Sequence, residues 1–281
     1  MNDSIPAKKS LGQNFLKSKV ALSKMIEAGE ISENDVVVEV GPGKGVLTEQ
    51  LLLKAKKVIA IEKDHRLIEL LTEKFKTEID GKKLEVIYED ILKLDLDSYL
   101  CRNDKGELVY KIIANIPYYI TGQFLRKFLE TNNQPERIVV MVQKEIAQRI
   151  VAKGKNGGDD GKESLLSISV KAYGEPKMIM KVDKENFSPA PKVDSAILAI
   201  NNISKKFFTE NSISEERFFE ILHAGFAHKR KILAGNLREW FKKGNETEIN
   251  IEQVLVDLKL DSKTRSEDLN LLNWAELIKK I

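Results

Sequence analysis

Apolar residues fall in short unbroken runs over the first two-thirds of the chain and at helical spacing over the last third. Val36 to Val40, Val58 to Ile61, Leu84 to Tyr88, Lys111 to Ala114 and Arg137 to Val142 each have the composition of a buried parallel strand. A strand covered on both faces shows no polar alternation. Helical patterns stand between these runs: Val20 to Glu30, a stretch carrying Val46, Leu47, Leu51 and Leu52, a stretch opening at His65, Thr121 to Thr131, and Gln143 to Val151. That alternation predicts a doubly wound α/β sheet. Met178 to Val182 and Ala196 to Ile200 read as a closing antiparallel pair, whereas residues 165–173, LLSISVKAY, alternate like a strand and are flanked like a helix. From about Ser204 only helical patterns remain, with starts at Ser214-Glu215-Glu216 and Ser266-Glu267-Asp268. The expected division is an α/β domain over residues 1–203 and a small all-helical domain over 204–281, with no internal repeat.

Composition narrows the class. At 42% hydrophobic and 32% charged, with no apolar run long enough to span a membrane and no signal-peptide core in MNDSIPAKKSLGQNFL, the chain reads as a cytoplasmic globular protein. The single cysteine, Cys101, excludes an intrachain disulfide and a multi-cysteine zinc site. Net charge is only +3, so nucleic-acid binding has to be argued from where basic residues gather. They gather in HAGFAHKRKILAGNLREWFKK, where Lys229, Arg230, Lys231, Arg238, Lys242 and Lys243 face one acid, Glu239. Such a stretch is either a solvated face or a phosphate-binding surface for RNA.

Candidate chemistry sits at the strand ends. Gly41-Pro42-Gly43-Lys44-Gly45 follows the first strand and opens a helix, an order that lets backbone approach a ligand closely. A dinucleotide fingerprint needs glycine at position 46, which is Val46; the G-x-G-x-G form preceded by Glu39 suits S-adenosylmethionine. Glu62, at the end of the second strand, is placed to accept from ribose hydroxyls. Asp90, after the third, is placed to accept from an adenine amine with Ile91 against the ring, or is simply a turn residue. Asn115-Ile116-Pro117-Tyr118 ends the fourth. The Asn115 side-chain oxygen and the Ile116 carbonyl, ahead of a peptide with no NH, can converge on one exocyclic amine, with Tyr118 as a stacking face. The same tetrapeptide is also the composition of an ordinary turn. Phe187 precedes Ser188-Pro189-Ala190-Pro191, a stiff loop able to hold it over a pocket opposite Tyr118, or else it lies in the core. Residues 1–16 read as a basic leader, Asp95 to Glu107 carries no evident chemistry, and Lys153 to Lys162 is expected to be mobile.

KKSLGQNFL, VVVEVGPGKGVLT, NIPYYITG, QKEIAQRI, FSPAPKVDSAIL, FAHKRKILAGNL and TRSEDLNLLNW, in this order from Lys8 onward, resemble the KsgA family of small-subunit ribosomal RNA adenine N6,N6-dimethyltransferases. The resemblance implies a class I methyltransferase fold with a Rossmann-like sheet, and S-adenosylmethionine as cofactor. It implies as substrate two adjacent adenosines in the loop of the last helix of 16S RNA, dimethylated late in 30S small-subunit assembly. By the same resemblance Asn14 and Leu16 close over the cofactor, Gly41 and Gly43 line its methionine end, Glu62 takes the ribose and Asp90 the adenine. Asn115 borders cofactor and target, and Tyr118 and Phe187 grip the base. Lys229, Arg230, Lys231 and Arg238 are the expected RNA contacts, a monomer is the expected state, and no metal is expected. Two departures stand out: Thr121-Gly122-Gln123 replaces the more usual Thr-Ser-Pro, and the Lys153 to Lys162 loop is long. Rival readings are a large-subunit adenine methyltransferase, a non-catalytic RNA-binding assembly factor, and an NAD-dependent dehydrogenase that Val46 disfavours.

Overall fold

The computed structural model describes residues 5–100, 109–152, 161–244 and 250–281. Cys101 and most of the loops at 95–107 and 153–162 lie outside the described residues. In chain order the first elements are β1 (Phe15–Leu16), α1 (Lys19–Gly29), β2 (Val36–Val40), α2 (Val46–Leu52), β3 (Lys57–Glu62), α3 (His65–Lys74), α4 (Lys76–Asp80), β4 (Leu84–Tyr88), β5 (Lys111–Ala114), α5 (Thr121–Glu130) and β6 (Arg137–Gln143). Then come α6 (Lys144–Val151), α7 (Leu165–Tyr173), β7 (Glu175–Val182), β8 (Phe187–Ser188), β9 (Ser195–Asn201), α8 (Lys206–Asn211), α9 (Glu215–Phe226), α10 (Leu233–Gly244), α11 (Ile251–Asp257) and α12 (Leu271–Lys280).

The chain forms two compact units, Met1–Ala147 with Glu175–Ile203, and Gln148–Gly174 with Ser204–Ile281. The division expected at residue 204 leaves out one excursion: residues 148–174 cluster with the helices. Residues 165–173 are the helix α7. A Ser164–Ser167 capping box starts it, and the sequence alternates like a strand because Ile168, Val170, Ala172 and Tyr173 are all buried.

In the first unit a seven-stranded sheet runs in the order β4-β3-β2-β5-β6-β9-β7. β4, β3, β2, β5 and β6 are mutually parallel, while β9 and β7 close the edge antiparallel, with a bulge between Met178 and Met180. Val37, Val38, Val58, Ile59, Ile112, Ile113, Val139 and Val140 are wholly buried, as helices on both faces require. A separate two-stranded pairing ties the leader down: Phe15 stands opposite Ser188 and Leu16 opposite Phe187.

The second unit packs around Trp274, which is fully buried and stacks on Phe226 with ring centroids 5.6 Å apart. Gly225 on α9 permits that packing, since a Cβ there would lie 2.3 Å from the indole. Ser214 caps α9, accepting from the Arg217 amide at 3.1 Å. The start expected at Ser266 is a 3-10 turn over Ser266–Asp268, and the helix itself begins at Leu271 under an Asn270 cap.

Candidate active site

β2 and β5 are neighbours, and the chain leaves them in opposite directions, β2 toward β3 and β4, β5 toward β6. In open α/β sheets the crevice beyond the strand ends at such a reversal is where ligands bind. Gly41 and Asn115 stand there. The Gly41 amide donates to the Ile61 carbonyl at 3.0 Å and the Asn115 amide to the Val40 carbonyl at 3.2 Å. A Cβ on Gly41, whose φ is +74°, would lie 2.7 Å from the Asn115 carbonyl oxygen, so the two strand ends meet at a distance only glycine allows.

A cleft opens at this point. One wall is carried by the ends of β3 and β4. The Glu62 carboxylate accepts from the amides of Lys63 and Asp64, both at 2.9 Å, and of Gly43 at 3.2 Å. Burial pushes its pKa up, and those three amides oppose the rise. Asp90 accepts from Lys63 Nζ at 2.6 Å and from the Leu92 amide at 3.0 Å. Partial burial works to raise its pKa, but these bonds prevail and hold it below the usual carboxylate range. Beneath the glycine loop Glu39 is wholly buried, and neither of its oxygens has a hydrogen-bond partner. Burial, reinforced by the charge of Glu62, raises its pKa to about 8.

The other wall is the corner after β5. Asn115 Nδ2 donates to the Asn14 carbonyl across a long 3.5 Å, which turns the amide so that Oδ1 is left as an acceptor. Ile116 is buried, Pro117 lines the cleft, and the Tyr118 hydroxyl bonds Ser195 Oγ at 2.5 Å. Burial raises the Tyr118 pKa, so this hydroxyl stays protonated in the neutral range. A 3-10 turn over Tyr118–Ile120 leads into α5, where Thr121 Oγ1 donates to the Tyr118 carbonyl at 2.9 Å. Gly122 has open space where a Cβ would stand, so the departure from Thr-Ser-Pro leaves the helix start intact.

The leader forms part of the rim. Leu11 to Phe15 line the cleft. Gly12, at φ +63°, sits against Pro117 and Tyr119, each with an atom 3.3 Å from where its Cβ would be. Gln13 Nε2 donates to Asp64 at 2.9 Å, and Arg66 holds the same carboxylate well below its usual pKa, at about 2.

Asn14, Gly41, Gly43, Glu62, Asp90, Asn115, Ile116, Pro117 and Tyr118 all line this one cleft. Leu16 and Phe187 do not. They pair across β1 and β8, and their side chains, 7% and 2% exposed, join the core with Met25, Val182 and Ile197. The Phe187 ring lies in this core, where its burial is worth roughly 2–3 kcal/mol. Gln13, Phe15, Lys63, Tyr119 and Gln123 were not foreseen at the cleft. In the second unit Lys229, Arg230 and Lys231 occupy the exposed connection between α9 and α10. Lys231 pairs with Glu239 at 2.9 Å and Arg238 with Glu252 at 2.6 Å, while Lys229 and Arg230 have no ion-pair partner among the described residues.

The donor set fits S-adenosylmethionine. Carboxylates able to accept from hydroxyl and amine groups (Glu62, Asp90), apolar flanks (Ile61, Ile91, Leu92) and side-chain-free backbone at Gly41 and Gly43 line it together, and an unpartnered buried carboxyl, Glu39, lies below.

The family model for ribosomal RNA adenine dimethylase matches residues 5–277. The protein named ribosomal RNA small subunit methyltransferase A of Dehalococcoides mccartyi is 41% identical over 273 residues, covering 97% of this chain and 88% of its own. Its namesake from Shouchella clausii is 40% identical over 272 residues, covering 96% and 88%. Among solved structures, a dimethyladenosine transferase from Plasmodium falciparum has a TM-score of 0.73 at 28% identity, with 94% of this chain and 95% of that one covered. The 23S rRNA methyltransferase ErmE, at 24% identity and a TM-score of 0.70 with 95% and 99% covered, is similar in fold. On the matched model and these identities the chain belongs to the ribosomal RNA adenine dimethylase family, whose members are S-adenosylmethionine-dependent rRNA adenine dimethyltransferases.

Proposed function

We propose that this chain dimethylates N6 of two adjacent adenosines in the loop of the 3′-terminal helix of 16S RNA, late in assembly of the 30S subunit. Relatives named for the small subunit at 41% and 40% identity support that choice of RNA. The chemistry rests on one observation above all: Asn115 lines the cleft with its amide hydrogens turned to Asn14 and its oxygen left to accept.

S-adenosylmethionine, when bound, supplies an activated methyl group on a sulfonium centre. The chain has then to align a displacement and polarise N6. Asn115 Oδ1 and the Ile116 carbonyl accept the two N6 hydrogens, which draws the nitrogen lone pair out of the ring and toward the methyl group. Tyr118 offers a face to the base, and its bond to Ser195 holds the ring in place. N6 becomes acidic only after alkylation, so no strong base is required. The monomethylated amine returns with one hydrogen to donate, and without Asn115 it has a single acceptor left.

In the helical unit we assign Lys229, Arg230, Lys231 and Arg238 to RNA phosphate. Lys229 and Arg230 are available as they stand. The exposed ion pairs of Lys231 and Arg238 are worth about 0–1 kcal/mol each and yield readily to a phosphate. We place the reaction in the cytoplasm and assign it to a monomer; among the described residues no helix is long and apolar enough to cross a membrane.

Transfer from labelled S-adenosylmethionine to under-methylated small subunits, followed by nucleoside analysis, tests the proposal. N6,N6-dimethyladenosine at the paired loop positions is expected. Label on large-subunit RNA, or tight subunit binding without transfer, would overturn it.

A further inference from the structure

The first turn of α5 carries a side chain to the cleft for which the chemistry above has no use. Gln123 lines the cleft, is exposed, and takes part in no side-chain hydrogen bond among the described residues. Lys127 stands four residues on and therefore on the same helix face. Its Nζ donates to the carbonyls of Leu92 and Leu94 at 3.3 and 2.6 Å. That bond pair fixes this face of α5 against the segment following Asp90. One turn nearer the helix start, Gln123 lines the same cleft as Asp90, Ile91 and Leu92.

We propose that Gln123 reads the adenine of S-adenosylmethionine. Its Oε1 accepts a hydrogen from the 6-amino group and its Nε2 donates to a neighbouring ring nitrogen, a two-bond pairing that a carboxamide makes with an adenine edge. Asp90 cannot do this alone. Its carboxylate can accept from the 6-amino group but has no proton to donate to a ring nitrogen. The inference rests on the cofactor assignment above.

Calorimetric titration of wild type, Gln123→Ala and Gln123→Glu tests it, with two ligands: S-adenosylhomocysteine and its counterpart whose purine lacks the 6-amino group. Gln123→Ala is expected to weaken S-adenosylhomocysteine about tenfold and the amine-free ligand, which keeps only the ring-nitrogen bond, about threefold. Gln123→Glu, which keeps the acceptor and loses the donor, is expected to fall between. Equal losses on both ligands, the mark of a disturbed helix start, would overturn the inference, as would no loss on either. Failure of the wild-type protein to bind S-adenosylhomocysteine at all would strike the cofactor assignment itself and this inference with it.

Discussion

The two walls of the cleft are built differently. On the cofactor side the carboxylates after the strand ends are pinned: Glu62 by three backbone amides, Asp90 by Lys63 and Leu92, Asp64 by Arg66 and Gln13. On the target side Asn115 is held by one long bond and Tyr119 is 66% exposed. The contrast follows the chemistry. One ligand of fixed shape occupies the first wall in every turnover, so preorganised acceptors add to its affinity. The second has to admit an amine with two hydrogens, then one, then none, and a loosely held acceptor accommodates all three.

Substitutions on the rigid wall should cost stability or cofactor affinity, and those on the open wall should cost rate. The largest expected effect concerns Glu39. Its folded-state pKa of about 8 lies above the ordinary 4.5, so the protonated carboxyl favours the fold at low pH, and that contribution is lost as pH rises toward 8. Relative to Glu39→Gln, the wild-type protein should lose on the order of 4 kcal/mol between pH 5 and pH 8. Denaturant titrations of both proteins at both pH values measure this, and an unchanged difference would contradict it. Gly41→Ala comes next. A left-handed φ and a 2.7 Å approach to the Asn115 carbonyl should destabilise by about 3 kcal/mol and abolish cofactor binding, read by melting and calorimetry. Glu62→Gln keeps the shape and removes the charge, and should weaken S-adenosylhomocysteine by about tenfold. The smallest effect is expected from Tyr118→Phe. It leaves the stacking face and frees Ser195, and should change the single-turnover rate by no more than about threefold.

The strand-end residues were legible in the sequence because each follows directly on an apolar run, and the topology of a doubly wound sheet brings those ends together without further information. The pairing that holds Leu16 and Phe187 is not legible in the sequence, because β1 and β8 are two residues each. So short a pairing has no periodicity, and it joins segments 171 positions apart (Leu16 to Phe187). Residues 165–173 were undecided because a helix buried on several sides lacks a polar face; the deciding signal, Ser164 with Ser167, was present but unused. Tyr119 and Gln123 are not legible as cleft residues, because nothing in composition separates an exposed side chain facing a cleft from one facing water. Gln123 had a trace, the break from Thr-Ser-Pro, and only the Lys127 bonds give that break a direction.

The division between a wall that binds and a wall that reacts is tested most directly with Asn115→Ala, by calorimetric titration of S-adenosylhomocysteine beside single-turnover transfer to small subunits resolved into mono- and dimethyladenosine. The account predicts that affinity changes by less than about threefold. It predicts that both transfers slow by about a hundredfold, the second at least as much as the first. Affinity and rate falling together, or dimethyladenosine forming at the wild-type rate, would contradict it.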